Sequence, residues 1–211
     1  MSLVKYNNNS ISAITDVISS FKGAMTHIKT LTADASTATL SFVNGSSDVV
    51  LDSTYPIYLF KVINAHAQNN GDILYYNFSD DTSSHSYDLT KTSTYFYLRH
   101  DEDGSDGQIV HPGSGSVTNI ANGTGKQTFA VNNNSSNEDS CAGELWLFNP
   151  SNTTFAKHYM SRSITTGESA KTFSAHAQGY INTTAAVTAV QFDLGSQWDA
   201  GSVKLYGIKD S

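Results

Sequence analysis

Hydrophobic and polar residues alternate along most of this chain. From residue 26 onward, the apolar runs have the two-residue period of a β-strand and stop at turns rich in Gly, Asn, Ser or Pro. About nine or ten strands at this spacing, with scarcely any helix, predict an all-β, antiparallel β-sandwich with a jelly roll as the leading topology. The predicted strands span residues 27–31, 37–43, 55–63, 71–78, 94–100, 143–148, 154–164, 172–180, 185–194 and 203–209.

Two regions depart from simple alternation. Residues 55–63 are apolar on both faces, which predicts a central strand covered on both sides. Residues 101–137 are rich in Gly and Asn and poor in hydrophobic side chains, which predicts long surface loops around weak strands at 108–111 and 127–131.

The end of the chain carries the clearest pattern. Val190, Phe192 and Leu194 fall on one face of a strand, and Val203 and Leu205 repeat the arrangement after a turn bounded by glycines. We therefore predict that these two strands pair as a terminal β-hairpin, with Trp198 in the turn between them.

The N-terminal segment is the one candidate helix. Residues 11–25 carry apolar side chains at helical spacing, with Ser10 as a possible N-cap and Gly23 as a possible stop. The chain then divides into an N-terminal arm or helix over residues 1–25 and a jelly-roll-like β-sandwich over residues 26–211.

Composition narrows the classes of partner and compartment. The chain has 211 residues and a formal net charge of −7, so no basic surface favours nucleic acid. No run approaches the roughly 20 apolar residues of a membrane span, and the first residues lack the apolar core of a signal peptide. The single cysteine, Cys141, excludes an internal disulfide, which favours synthesis in a reducing cytosol.

Candidate chemistry is sparse. Asp101 and Asp103 belong to the densest acidic cluster, and their carboxylates are possible ligands for a hard cation; the alternative is a solvated turn. The seven histidines form no metal-binding pair, and no serine lies in a nucleophile elbow. Cys141 follows an acidic stretch that disfavours a thiolate. The sequence thus predicts no enzymatic activity, metal or cofactor, although a hydrolase on the same fold stays an alternative.

Aromatic side chains offer a different kind of site. Exposed Trp and Tyr beside Asn and Asp can stack on sugar rings, although aromatics in strands more often form a core or an interface. Trp146 fits the core or interface role, whereas Trp198 and Tyr206 are candidate ligand or interface positions.

Several short blocks, held in order, resemble a group of tailed-phage virion structural proteins found especially in marine phages. The blocks cover most of residues 26–210. They are THIKTLTA at 26–33, LSFVNG at 40–45, TYPIYLFK at 54–61, KTSTYF at 91–96, GELWLFNPSNTT at 143–154, GYINTT at 179–184 and VKLYGIK at 203–209.

The resemblance implies a β-sandwich component of the virion without enzymatic activity, and it carries over no catalytic or binding residues. We expect a capsid decoration or cement protein, made in the host cytoplasm, that forms a homotrimer or another symmetric homo-oligomer and contacts the major capsid or tail protein. The alternative is a module of the tail or fibre that binds host-surface glycans through its loops.

Overall fold

The computed structural model of the protein describes residues 23–112, 118–167 and 170–209. Within these residues it contains twelve β-strands, all paired antiparallel, and no helix. The strands are β1 (Met25–Thr32), β2 (Thr39–Val43), β3 (Ile57–Ala67), β4 (Asp72–Ser79), β5 (Lys91–Asp101), β6 (Gly107–Val110), β7 (Gln127–Asn133), β8 (Cys141–Phe148), β9 (Lys157–Gly167), β10 (Lys171–Ile181), β11 (Ala189–Asp193) and β12 (Trp198–Ile208).

The strands form two layers. The large sheet has the order β1-β12-β3-β8-β9-β10-β5-β6, and the small sheet has the order β7-β4-β11-β2. The two sheets join where Asn133 of β7 pairs with Gly167 of β9, so the sandwich is nearly closed on that side. The predicted all-β antiparallel sandwich is confirmed.

The connectivity is that of a jelly roll with two insertions. The strands β1-β12-β3-β8 form one four-stranded half and β2-β11-β4-β7 form the other. Successive strands of this set lie in opposite sheets, except that β4 and β7 pair with each other in the small sheet. Two hairpins interrupt the series, β5–β6 between β4 and β7, and β9–β10 between β8 and β11. Both hairpins extend the large sheet beyond β8.

The core lies between the two sheets and is dominated by aromatic rings. Phe42 of β2 and Phe60 of β3 meet edge to face at 5.3 Å, and Phe60 lies 5.7 Å from Phe192 of β11. Tyr76 of β4 meets Tyr159 of β9 edge to face at 5.8 Å. Such offset contacts between fully buried rings tie the layers together. A smaller cluster fills the space between β7 and the β10–β5 extension.

The predicted terminal hairpin is wrong. Val190 and Phe192 of β11 pair with β2 and β4 in the small sheet, whereas β12 pairs with β1 and β3 in the large sheet. The turn after Asp193 therefore carries the chain across the sandwich. Alternation fixes which side of a strand is apolar, but it does not fix the pairing. A β11–β12 hairpin and the observed placement of β11 and β12 in opposite sheets bury the same side chains.

Three further predictions are refined. Residues 57–63 do lie in a central strand, β3, but its outer side is only partly covered. Leu59 on that side is 2% exposed, whereas Ile63 is 37% exposed. The weak strands predicted at 108–111 and 127–131 correspond to β6 and β7, and residues 127–131 are buried in β7. The predicted N-terminal helix lies outside the described residues up to residue 22, and Met25 already belongs to β1.

Candidate functional site: the outer face of the large sheet

Trp198 does not lie in a surface turn. It is the first residue of β12, and its side chain is fully buried in the core between the sheets. A sugar cannot stack on a ring that solvent does not reach, so this placement corrects the prediction of Trp198 as a ligand position. Tyr206 lies at the other end of β12, half-buried, with its ring 5.3 Å from that of His27 on β1.

Asp101 and Asp103 lie at the β5–β6 turn. Asp101 Oδ1 is 3.1 Å from Lys171 Nζ, and Asp106 of the same turn accepts from Arg99 Nη2 at 2.7 Å. Asp103 Oδ1 accepts the backbone N–H of Ser105 at 2.8 Å, which with the Ser105 hydroxyl holds the pKa of this carboxyl below its usual value. Neighbouring cations and turn hydrogen bonds therefore stabilise the negative charges of this cluster.

The histidines are dispersed over the fold. His66 Nδ1 lies 3.1 Å from Asp199 Oδ2, and its Nε2 lies 3.0 Å from the carbonyl oxygen of Ser136. His176 stacks on Phe96 with a ring separation of 5.0 Å. In the described part of the chain, no three His, Cys, Asp or Glu side chains come together as a metal site.

Two buried titratable side chains have packing roles. Cys141 is fully buried at the start of β8, and burial raises the pKa of its thiol far above the usual value. The ammonium of Lys91 is buried as well, and its Nζ donates to the carbonyl oxygens of Leu89 at 2.9 Å and Gly125 at 2.8 Å. Burial lowers the pKa of Lys91 to about 8.

The outer face of the large sheet, meaning the side turned away from the small sheet, is unusually apolar. The described large hydrophobic side chains that are markedly exposed all lie on it except Phe155 of the β8–β9 loop. Ile109 is 76% exposed and Ile164 is 62% exposed. The solvent side of an antiparallel sheet normally carries polar residues, so this face has the character of a contact surface. Its exposed apolar residues are Met25, Ile63, Leu98, Ile109, Met160, Ile164 and Tyr180.

Strand β9 shows how the sequence builds this face. Its residues alternate strictly between buried and exposed, and the exposed ones include Met160, Arg162 and Ile164. Register places Met160 beside Trp146 of β8, and Ile164 between Ala142 of β8 and Ser174 of β10. Apolar rows thus cross the strands on either side of a charged row.

The charged row contains an ion pair at its centre. Lys61 of β3, Glu144 of β8 and Arg162 of β9 are register neighbours, and Arg162 Nε donates to Glu144 Oε1 at 2.8 Å. The Glu144 side chain is only 16% exposed, whereas that of Arg162 is 67% exposed. The guanidinium is therefore held over the sheet, and its remaining N–H groups are free to donate to a second carboxylate.

A shallow groove lies on each side of this ion pair. One, of about 570 Å³, runs over Ala142 and is bounded by Ile63, Ile164 and His176. The other, of about 360 Å³, is lined by Trp146, Phe148 and Met160. The side chain of Ile164 protrudes beside the first groove, so the surface offers a ridge next to a hollow.

Among the residues of this face, the sequence pattern singled out Trp146 and Tyr206 alone as candidates. Glu144 occupies an outward position of β8. The missing information was pairing, because only the order β8-β9-β10-β5 brings Ile164, Met160 and Leu98 onto one continuous surface. Large apolar residues at the outward positions of β9 and β5 were the available signal.

No protein-family model, curated protein or solved structure matches this chain. In the described ranges, no helix is long and apolar enough to cross a membrane.

Proposed function

We propose that this protein is a non-enzymatic structural component of a bacteriophage virion, made in the host cytoplasm, and that it decorates or cements the capsid. The ordered sequence blocks at 26–33, 54–61 and 143–154 support the phage assignment by resemblance. The jelly-roll fold supports it as well, because this architecture recurs in viral capsid proteins.

The observation that carries the proposal is the apolar outer face of the large sheet. Monomeric proteins rarely leave a large contiguous apolar surface in water. Here Ile63 of β3 and Met160 and Ile164 of β9 are each more than a third exposed, on either side of β8 with its half-buried Trp146. An aromatic and aliphatic centre with a neighbouring arginine is typical of the energetically important part of a protein–protein interface.

Assembly by surface contact accounts for the polar side chains too. Glu144 and Arg162 lie in the middle of the apolar face, where a partner would desolvate them together. Such a pair fixes the orientation of the contact more than its strength. We expect symmetric contacts, in a homotrimer or another symmetric homo-oligomer, with the major capsid or tail protein as a further partner.

Mass spectrometry of gradient-purified virions tests this role. We expect the chain in the particles of the phage that encodes it, at a copy number in a simple ratio to the major capsid protein. The Ile164→Asp variant should be missing from the purified particles. The Phe155→Asp variant should still be incorporated, because Phe155 does not lie on the outer face of the large sheet. Absence of the wild-type chain from purified virions, with the protein free in the lysate, contradicts the proposal.

One observation favours a second function, glycan binding by a tail or fibre module. Trp146 is half-buried beside Phe148 and the Glu144–Arg162 pair, and an aromatic ring with neighbouring charged groups is a common way to hold a sugar. A glycan array with the wild type and Trp146→Ala tests it. Binding that disappears in Trp146→Ala but persists in Phe155→Ala supports this function, and no binding by the wild type removes it.

A further inference from the structure

The outer face of the large sheet is complementary to itself, and this identifies its occupant. We propose that a second copy of this chain packs on it, face to face, about a two-fold axis that runs parallel to the strands between β8 and β9. This inference rests on the proposed function, because it uses the same surface. It identifies a second copy of this chain as the partner that binds there.

The register of β8 and β9 fits this symmetry. A two-fold axis along the strands between β8 and β9 places each outward residue of β8 opposite the β9 residue that is its own register neighbour, now from the other copy. Glu144 then faces Arg162 of the second copy, and Arg162 faces Glu144. A two-fold axis in the interface plane but perpendicular to the strands, along the row of Glu144 and Arg162, would instead place each of these residues opposite the same residue of the second copy.

Shape follows the same symmetry. Ile164, 62% exposed, has Ala142 as its register neighbour on β8, where the groove of about 570 Å³ lies. The axis sets Ile164 of each copy over Ala142 of the other, so the ridge enters the hollow twice. Trp146 and Met160 meet across the dimer in the same way, because they too are register neighbours.

Electrostatics distinguishes this arrangement from a chance apolar contact. Within one copy, Arg162 uses its Nε on Glu144 and leaves the rest of a largely exposed guanidinium available. A second carboxylate arriving from the facing sheet produces an alternating four-charge cluster at the centre of the interface. Desolvation by the surrounding apolar rows strengthens each of these hydrogen bonds.

The surface is large enough for a specific dimer. The axis sets β8 over β9, β3 over β10 and β12 over β5 of the other copy. These six strands span about 29 Å, and eight residues along them span about 26 Å, which gives on the order of 750 Å² on each copy. The total of roughly 1,500 Å² lies within the range of specific interfaces; because buried area does not set affinity, we expect dissociation in the micromolar range.

Sedimentation velocity on the purified full chain tests the proposal, over about 1 to 500 µM. The wild type should pass from monomer to dimer with rising concentration. Ile164→Asp should weaken the dimer at least 100-fold, because the change enters the interface twice. Phe155→Asp, an equally drastic change at a residue that is 70% exposed in the β8–β9 loop, should leave dimerisation unchanged.

Charge reversal tests the symmetry itself. Glu144→Arg alone and Arg162→Glu alone should each be monomeric, because each sets like charges against one another across the axis. An equimolar mixture of the two variants should form a heterodimer, since every interchain contact becomes attractive again. Urea unfolding of each variant checks that the monomers are folded.

The outcomes separate this inference from the virion role. Any of four results overturns the two-fold dimer: a wild type that stays monomeric throughout the range, a dimer unaffected by Ile164→Asp, a trimer, or a mixture of the two charge variants that fails to associate. The chain can still be found in purified virions in each of those cases. Conversely, a dimer with the predicted sensitivities stands even if the virions lack the chain.

Discussion

The ring of Tyr55 lies directly against the backbone of Gly207. A methyl group at the α-carbon of Gly207 would approach the ring carbons to 2.3 Å, far inside van der Waals contact. Gly207 cannot move away, because β12 is paired with β1 on one side and β3 on the other. We predict that Gly207→Ala lowers the free energy of unfolding by about 2–3 kcal/mol, measured by urea denaturation.

Gly125→Ala is the matched control for this substitution. No atom lies within 4 Å of the added methyl at Gly125, and its backbone is outside the left-handed region. Its unfolding free energy should stay within about 0.5 kcal/mol of the wild type. Equal stability of the two variants would show that Tyr55 does not pack on Gly207.

Because Lys91 is buried, we predict that the free energy of unfolding rises at alkaline pH. Burial lowers its pKa in the folded chain to about 8 from the ordinary lysine value of 10.5. Between these values the unfolded chain binds a proton that the folded chain lacks, so stability increases as pH rises from about 8 to 10.5. The contribution over that range is on the order of 3 kcal/mol.

The Lys91→Met variant isolates this effect from other alkaline titrations. Buried tyrosines such as Tyr95 and Tyr159 have a raised pKa and act in the opposite direction. At high pH their hydroxyl groups ionise more readily in the unfolded chain, which lowers the stability of the folded protein. The difference between wild type and Lys91→Met, from urea unfolding at several pH values, should grow in favour of the wild type above about pH 8. A pH-independent difference would mean that Lys91 is not desolvated.

The two tryptophans should give opposite fluorescence. In Trp146→Phe the remaining Trp198 is fully buried, so its emission should be blue-shifted and resistant to acrylamide. In Trp198→Phe the remaining Trp146 is half-buried on the outer face and should be quenched in the monomer. Dilution of Trp198→Phe through the dimer transition should increase that quenching, whereas constant quenching would place Trp146 outside the interface.

Cys141 should be unreactive until the protein unfolds. Its sulfur is buried in the core, and burial alone raises the pKa of the thiol, so neither access nor thiolate is available at neutral pH. A thiol reagent such as dithionitrobenzoate should react with the native protein at least 100-fold more slowly than with the chain in concentrated urea. A fast reaction of the native protein would contradict the placement of Cys141.

Much of the fold was predictable from alternation alone. The strand positions follow from side chains such as Phe60, Val62, Phe192 and Leu205, which repeat every second residue and end in the core. Pairing was not predictable in the same way, because β11 and β12 bury the same residues whether they form a hairpin or belong to opposite sheets. The jelly-roll crossover after Asp193 is a property of the whole sheet order.

The candidate site was less predictable. Trp198 lies between Gly195 and Gly201, a pattern that indicates an exposed turn, yet three residues after Gly195 the chain has already entered β12 and the core. Arg162 and Ile164 look like ordinary outward residues until β8, β9 and β10 are known to be neighbours. A surface assembled from several strands has no contiguous sequence signal.

A cryo-EM reconstruction of the virion tests most directly whether the outer face of the large sheet is an assembly interface. We predict density for this jelly roll on the particle, with Trp146, Arg162 and Ile164 covered by another protein chain. Absence of the chain from the map, or copies in which this face is turned to solvent, would contradict the account.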